Sequence, residues 1–419
     1  MSIALSGAIC LVVYLYTYFH LKNVAGKVFL SILCISTIYY GVLGSWYWTS
    51  FQGGRFLGAY WFDEVETVSY VYVSVFTYTC ILFHLFGLAD KNNTVVNQSN
   101  NLYGFGYFIA LLSIILGCLS SAYVYIVGAG LHGSLTTDPY LLIFYQISDL
   151  AIAAILFGVS LRDRHYKYWI IILFIFVMYS IYTGLRYKIA ILVGPLILTY
   201  FFDDKVDFKR KIIAAVCVLF VVLFFSLMTL VRSKFSGLNV EELNNIDYDR
   251  MLYGLFAETN GVFALSSVIN NYGNSFSYVL FEPFLEIFEQ FIPRFLYPEK
   301  DLYGHLKDFS YGIAYTDESM RSGTAVPFFG EYYAMFGWGG IALGVLLYSI
   351  LVRWMISFVF KWSVTKYQFL VGVSFICIYM GFYYYSRGSM AQISKGILFV
   401  VLPYFIMLRL QNVKGILLR

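Results

Sequence analysis

Apolar residues run in unbroken blocks along most of the chain, separated by short polar links. A block of about 20 apolar residues is long enough to cross the hydrocarbon of a bilayer as a helix. The pattern predicts about eleven such helices (10–12), at about 3–19, 28–49, 68–88, 102–127, 140–160, 168–185, 189–202, 212–231, 330–352, 367–386 and 393–408. Barrel strands would need short alternating segments, which are absent. The fold class this predicts is an all-α polytopic membrane protein. One stretch departs from the pattern: residues 232–329 hold most of the carboxylates and several isolated arginines. The chain accordingly divides into 1–231 with helices 1–8, a large polar loop at 232–329, and 330–419 with helices 9–11.

Composition agrees with the pattern. Of 419 residues, 60% are hydrophobic and only 12% charged, where a soluble domain carries about 25%. The first block has no basic residue before it and no small-residue cleavage site after it, so it reads as a retained helix. The six cysteines sit in apolar runs without metal-type spacing and imply no disulfide framework. Lysines and arginines concentrate in the links 161–167, 203–211 and 361–366 and in the tail 409–419, with Lys22 and Lys27 on the same side. This asymmetry places those links and the C-terminus in the cytoplasm and the N-terminus outside. A twelfth span inside the loop would reverse the N-terminal half.

The loop is then extracytoplasmic. It carries thirteen acidic and seven basic residues, net −6. It has no diffuse basic patch, which argues against nucleic acid as a partner. Within it, 278–292 is amphipathic: Glu282, Glu286 and Glu289 fall on one face, and Phe281, Phe284, Leu285, Phe288 and Ile292 on another. That pattern predicts a helix lying in the bilayer interface, with Pro283 in its first turn. Two glycosylation-type triplets, at 92–94 and 97–99, fall in a link placed in the cytoplasm and carry no weight. The chain has no Gly-rich phosphate loop, HExxH, nucleophile elbow or CxxC, so neither a cofactor nor a metal is expected.

Candidate chemistry lies in arginines at the external ends of helices. Arg186 sits in TGLRYK, Arg232 directly follows helix 8, and Arg387 sits in YYYSRGS. A charge near the hydrocarbon boundary needs a partner or must snorkel. Arginine's planar fork holds a phosphate bidentately and stays charged at any relevant pH. Arg294, framed by Pro293 and Pro298, and Arg321, in a Ser-Gly segment, extend the set, with Lys188 beside Arg186. Candidate general bases are Glu331, at the start of the ninth helix, and His305 and Asp308 in the loop. Asp149 lies mid-membrane and is expected to pair with an arginine such as Arg186, as a counter-ion rather than a catalyst. His84 reads as a buried, satisfied histidine. The external aromatics Trp46 to Trp48, Tyr60, Trp61 and Tyr383 to Tyr385 read as an interfacial belt.

These motifs resemble the O-antigen (oligosaccharide repeat-unit) polymerases of the Wzy type. Four features carry the likeness: TGLRYK (183–188), IPRFLYPEK (292–300), the Gly330–Gly340 block GEYYAMFGWGG, and Arg387-Gly388-Ser389 before the last span. Leu185 and Tyr187 stand where the family commonly has small residues. The resemblance implies a GT-C-like, metal-independent glycosyltransferase of the bacterial cytoplasmic membrane, working at its outer face on undecaprenyl-diphosphate-linked oligosaccharides. It implies membrane lipids as surroundings and a chain-length regulator and a flippase as protein partners. Arg186, Arg232, Arg294 and Arg387, with Arg321 and Lys188, would then contact the diphosphate. An O-antigen ligase and a non-enzymatic lipid-linked oligosaccharide flippase are the alternatives.

Overall fold

The computed structural model describes residues 2–51, 55–56, 59–60, 65–86, 105–126, 144, 146–162, 165–182, 186–203, 206–216, 232–233, 237–238, 248–274, 276–292, 297, 326–387 and 390–411. Their architecture is helical. In chain order come α1 (Ile3–His20), α2 (Val24–Ser50), α3 (Val65–Leu85), α4 (Phe105–Ile126), α5 (Leu150–Leu161), α6 (Tyr166–Tyr182) and α7 (Arg186–Phe202). There follow α8 (Tyr248–Phe256), α9 (Gly261–Asn271), α10 (Glu282–Phe291), α11 (Phe328–Trp362) and α12 (Lys366–Tyr384). The last, α13, runs through Met390–Gly396, Ile397–Val401 and Leu402–Leu410. The block expected at 212–231 is helical up to residue 216, and the rest of it lies outside the described residues. Strand pairing among the described residues is confined to two two-residue ladders, β1 (Arg55–Phe56) with β2 (Ala59–Tyr60) and β3 (Arg232–Ser233) with β4 (Gly237–Leu238), and one isolated bridge.

Among the described residues, seven helices are long and apolar enough to cross a membrane, by length and composition: α1, α2, α3, α4, α11, α12 and the run Ile393–Leu410. Side-chain distribution points the same way. Only 11% of the apolar window of α1 is buried, and Leu5, Leu11, Val12, Leu15 and Tyr16 face outward. Small polar groups take the inside instead: Ser6 and Ser69 are fully buried with their hydroxyls 3.2 Å apart. Apolar outside and small polar groups at helix contacts is the arrangement expected in lipid.

Packing divides the chain into two compact units. The first comprises Met1–Asn93, Phe256–Trp354 and Tyr379–Ser394. In it α1, α2 and α3 pack together and α9 packs on α3. The Trp48 indole donates to Thr259 Oγ1 at 2.9 Å, fastening α2 to the turn before α9. The helix α2 contains a π segment, Thr37–Leu43, and α12 ends in another, Cys377–Tyr384. A π segment displaces backbone carbonyls from their ordinary partners, and in the second a tyrosine takes one of them. Tyr348 donates to the Met380 carbonyl at 3.1 Å. Tyr385, just past the second π segment, donates to the Tyr72 carbonyl at 3.2 Å and lies 3.0 Å from Thr37 Oγ1.

The second unit comprises Thr94–Leu255, Met355–Ile378 and Lys395–Arg419. Its centre is α5, buried at every position from Ala151 to Leu161. A helix that is apolar all round needs cover on all sides, and α4, α6, α7, α12 and α13 supply it. At one end of this unit the basic links meet. The Arg162 guanidinium stacks 3.5 Å from the centre of the Tyr367 ring. Gln368 donates to Gln411 at 2.8 Å, and Gln411 donates to the Trp362 carbonyl at 2.6 Å. The links 161–167 and 361–366 and the end of α13, all expected on one side of the membrane, are therefore neighbours.

Candidate functional site

The Gly330–Gly340 block forms the start of α11, and its geometry is not that of a plain helix. Phe336 (φ −143°, ψ 19°) and Gly337 (φ 64°, ψ −146°) break the helix. The φ of Gly337 lies in the left-handed region, which disfavours side chains. A Cβ there would also sit 2.9 Å from the Tyr278 hydroxyl. Gly340 has no room either, because a Cβ would run into the Tyr332 carbonyl. A break frees a carbonyl that must find another donor. The Ala334 carbonyl accepts from Val279 N–H at 3.0 Å.

That bond lays the segment before α10 on the break. Phe281 meets Phe336 edge to face at 5.3 Å between ring centres, and Phe284 meets Tyr332 at 6.4 Å. Pro283 is buried in the first turn of α10, where its missing N–H costs nothing. The outer face of α10 exposes Phe281, Leu285, Phe288 and Ile292. The amphipathic segment expected at 278–292 is thus helical over 282–291, anchored on α11, with an apolar face turned outward.

Glu331 sits in the first turn of α11 and is fully buried. Its Oε2 accepts the Met390 N–H at 2.6 Å. Met390 is the first residue of α13, and Arg387 is the last residue of the short helical turn Tyr385–Arg387. The carboxylate therefore stands at two helix starts, its own and that of α13, where negative charge is favoured. Phe328, Phe329, Tyr348, Tyr384 and Tyr385 pack near the same helix start. Tyr332 and Tyr384 both lie within reach of the charge of Glu331. Through this one side chain the Gly330–Gly340 block is bonded to Met390, the residue that follows Arg387–Ser389 in the chain.

In the second unit, Asp149 precedes α5 and its Oδ1 lies 2.6 Å from Lys188 Nζ. Lys188 is fully buried and donates to Ser148 Oγ at 3.0 Å. The partner the structure gives Asp149, at the start of α5, is Lys188; the side chain of Arg186, the expected partner, lies outside the described residues.

Arg232 pairs in β3, opposite Leu238; the end of the helix expected before it lies outside the described residues. The side chains of Arg186, Arg232 and Arg387 lie outside the described residues, as do Arg294, Arg321, His305 and Asp308 altogether. Among the described residues no three His, Cys, Asp or Glu side chains gather as metal ligands would. Pattern reading missed the helix break and the Met390 contact. Gly337-Trp338-Gly339-Gly340 was its available signal, since three glycines in four residues weaken a helix. No protein-family model, curated protein or solved structure matches the chain.

Proposed function

We propose that this chain is a membrane glycosyltransferase that polymerises undecaprenyl-diphosphate-linked oligosaccharide repeat units into O-antigen or capsular polysaccharide. It would work at the outer face of a bacterial cytoplasmic membrane, in a GT-C-like fold of about eleven spans. The observation that carries the reading is the Glu331–Met390 bond. It ties the Gly330–Gly340 block, one of the stretches the polymerase resemblance rests on, to the residue next after another, Arg387-Gly388-Ser389.

The chemistry follows from the residues. The glycosidic bond between the growing chain and its lipid diphosphate breaks, and a hydroxyl of the incoming lipid-linked unit forms the new bond to the same carbon. Undecaprenyl diphosphate leaves with the bonding electron pair. Preorganised cations stabilise charge that develops on a leaving group. That role falls to Arg186, Arg232, Arg294 and Arg387, with Arg321 beside them. The hydroxyl proton goes to a base, for which His305 and Asp308 are the loop candidates and Glu331 the third. Lys188 already holds Asp149 and Ser148. It would meet a phosphate only by giving up that pairing, so its place is beside the site rather than in it. Neither metal nor cofactor enters the scheme. Membrane lipids, a flippase and a chain-length regulator are the surroundings it would work among.

The test is elongation of a purified lipid-linked repeat unit by the wild-type protein, Arg186→Ala and Arg387→Ala. The expected result is elongation by wild type and loss in both variants, while wild-type rates in both would sink the diphosphate reading. In a polymerase-null strain, return of long-chain polysaccharide supports polymerisation. Attachment without elongation would identify a ligase instead, and transport of the lipid-linked unit without either would identify a flippase.

A further inference from the structure

Glu331 is the candidate base whose surroundings the structure describes, and those surroundings suit a different task. The side chain is fully buried among aromatic residues. Its Oε2 is committed to a backbone N–H at 2.6 Å, the short length of a charge-assisted bond. Both helix starts beside it present positive partial charge to a carboxylate, which holds it as an acceptor. A general base must instead reach the proton it removes, within about 3 Å in a substrate complex. The atom that its Oε2 reaches is the Met390 main-chain nitrogen, three residues after Arg387.

We propose that Glu331 is a positioning residue, not the base: its carboxylate anchors the first turn of α13, which begins at Met390, to the start of α11. A turn held by a buried carboxylate fixes the chain three residues after Arg387. That the turn serves a diphosphate rests on the polymerase reading above; that Glu331 anchors it does not. Length matters as well. Aspartate is shorter by one methylene, about 1.5 Å along a carbon chain, and would not close the bond at the present backbone spacing. Glutamine keeps the length and an acceptor oxygen.

The experiment compares wild type, Glu331→Gln, Glu331→Ala and Met390→Pro in lipid nanodiscs. Proline at a first helical position is tolerated while removing the donor N–H. Hydrogen exchange of the peptide covering 385–393 reads the turn directly. Binding of undecaprenyl diphosphate and the pH–rate profile of elongation read its use. The expected result is faster exchange of 385–393 in Glu331→Ala and Met390→Pro, and wild-type exchange in Glu331→Gln. Rates should fall roughly 100-fold in the first two variants, the scale of a small misplacement. Glu331→Gln should stay within about tenfold of wild type, because it keeps the acceptor, with an unchanged pH profile. The double variant Glu331→Ala/Met390→Pro should be no worse than either single one. The proposal is overturned if Glu331→Gln loses as much as Glu331→Ala, roughly 100- to 10,000-fold, while Met390→Pro elongates normally. It is equally overturned if exchange of 385–393 is unchanged in all three variants. Failure of the wild type to bind undecaprenyl diphosphate or to elongate would remove the polymerase reading, and the exchange data would still decide the anchor.

Discussion

At the scale of single residues, the best-defined ionic interaction in the second unit is Asp149 with Lys188. A fully buried lysine keeps its charge only at the expense of solvation, and the bonds to Asp149 and Ser148 offset that cost. Removing one partner leaves the other buried without its opposite charge. Lys188→Met or Asp149→Leu alone is therefore expected to destabilise the protein by about 3–5 kcal/mol. The double variant Asp149→Leu/Lys188→Met should recover most of that loss. Thermal unfolding in detergent, followed by tryptophan emission, measures it, and additive losses in the double variant would show that the pair is not coupled. The sequence singled out a carboxylate at 149 because charge is rare in apolar blocks. It did not single out Lys188 as its partner, because which position of α7 faces Asp149 depends on where that helix starts.

At the scale of elements, the break in α11 is the feature with most consequence for the proposed site. Gly337 holds a left-handed φ of 64° against Tyr278. Gly337→Ala is expected to cost about 1–3 kcal/mol from backbone strain alone, and the crowding of Tyr278 adds to it. Retention of the wild-type unfolding temperature would mean that the break is not a fixed part of the fold. The blocks themselves were legible because lipid demands long apolar helices with satisfied backbones. The break and the π segments were not, since residues such as Tyr332 to Phe336 and Cys377 to Tyr384 keep an apolar pattern whether the backbone is α, π or interrupted.

The helix α10 yields a second prediction at this scale. Its exposed Phe281, Leu285 and Phe288 are expected to sit at the lipid boundary, with Glu282 toward water. A fluorescent label on Phe288→Cys should be quenched by brominated lipid well above one on Glu282→Cys. Equal quenching at the two positions would remove the interfacial assignment.

At the scale of the whole molecule, two compact units emerge that the linear pattern does not delimit. Each is assembled from three separate stretches, and α11, α12 and α13 each contribute a portion to both. Hydropathy marks where chain enters lipid, but which helices pack together depends on side-chain shape, and that is not periodic. The basic links could be assigned to one side from charge alone, and the stacking of Arg162 on Tyr367 now makes two of them neighbours. Cysteines placed at Arg162 and Lys361 are expected to react with an impermeant maleimide from the same side of oriented vesicles. Labelling from opposite sides would overturn the topology.

The burial of α5 has a consequence for how the protein is made. In the finished unit this helix touches only protein, yet α12 begins some 200 residues after it ends. At about 5–20 residues per second, synthesis needs about 10–40 seconds to deliver that cover. Through that interval the side of α5 that α12 and α13 later cover is open, and its unbroken run of alanine, isoleucine, leucine and phenylalanine is expected to face lipid there. Asp149 waits far less, since Lys188 follows it by 39 residues. A photo-crosslinker at Ile155 should capture lipid in chains arrested before residue 366 and only protein in full-length chains. On this view the sequence of α5 answers first to the nascent chain, and the finished protein inherits the result.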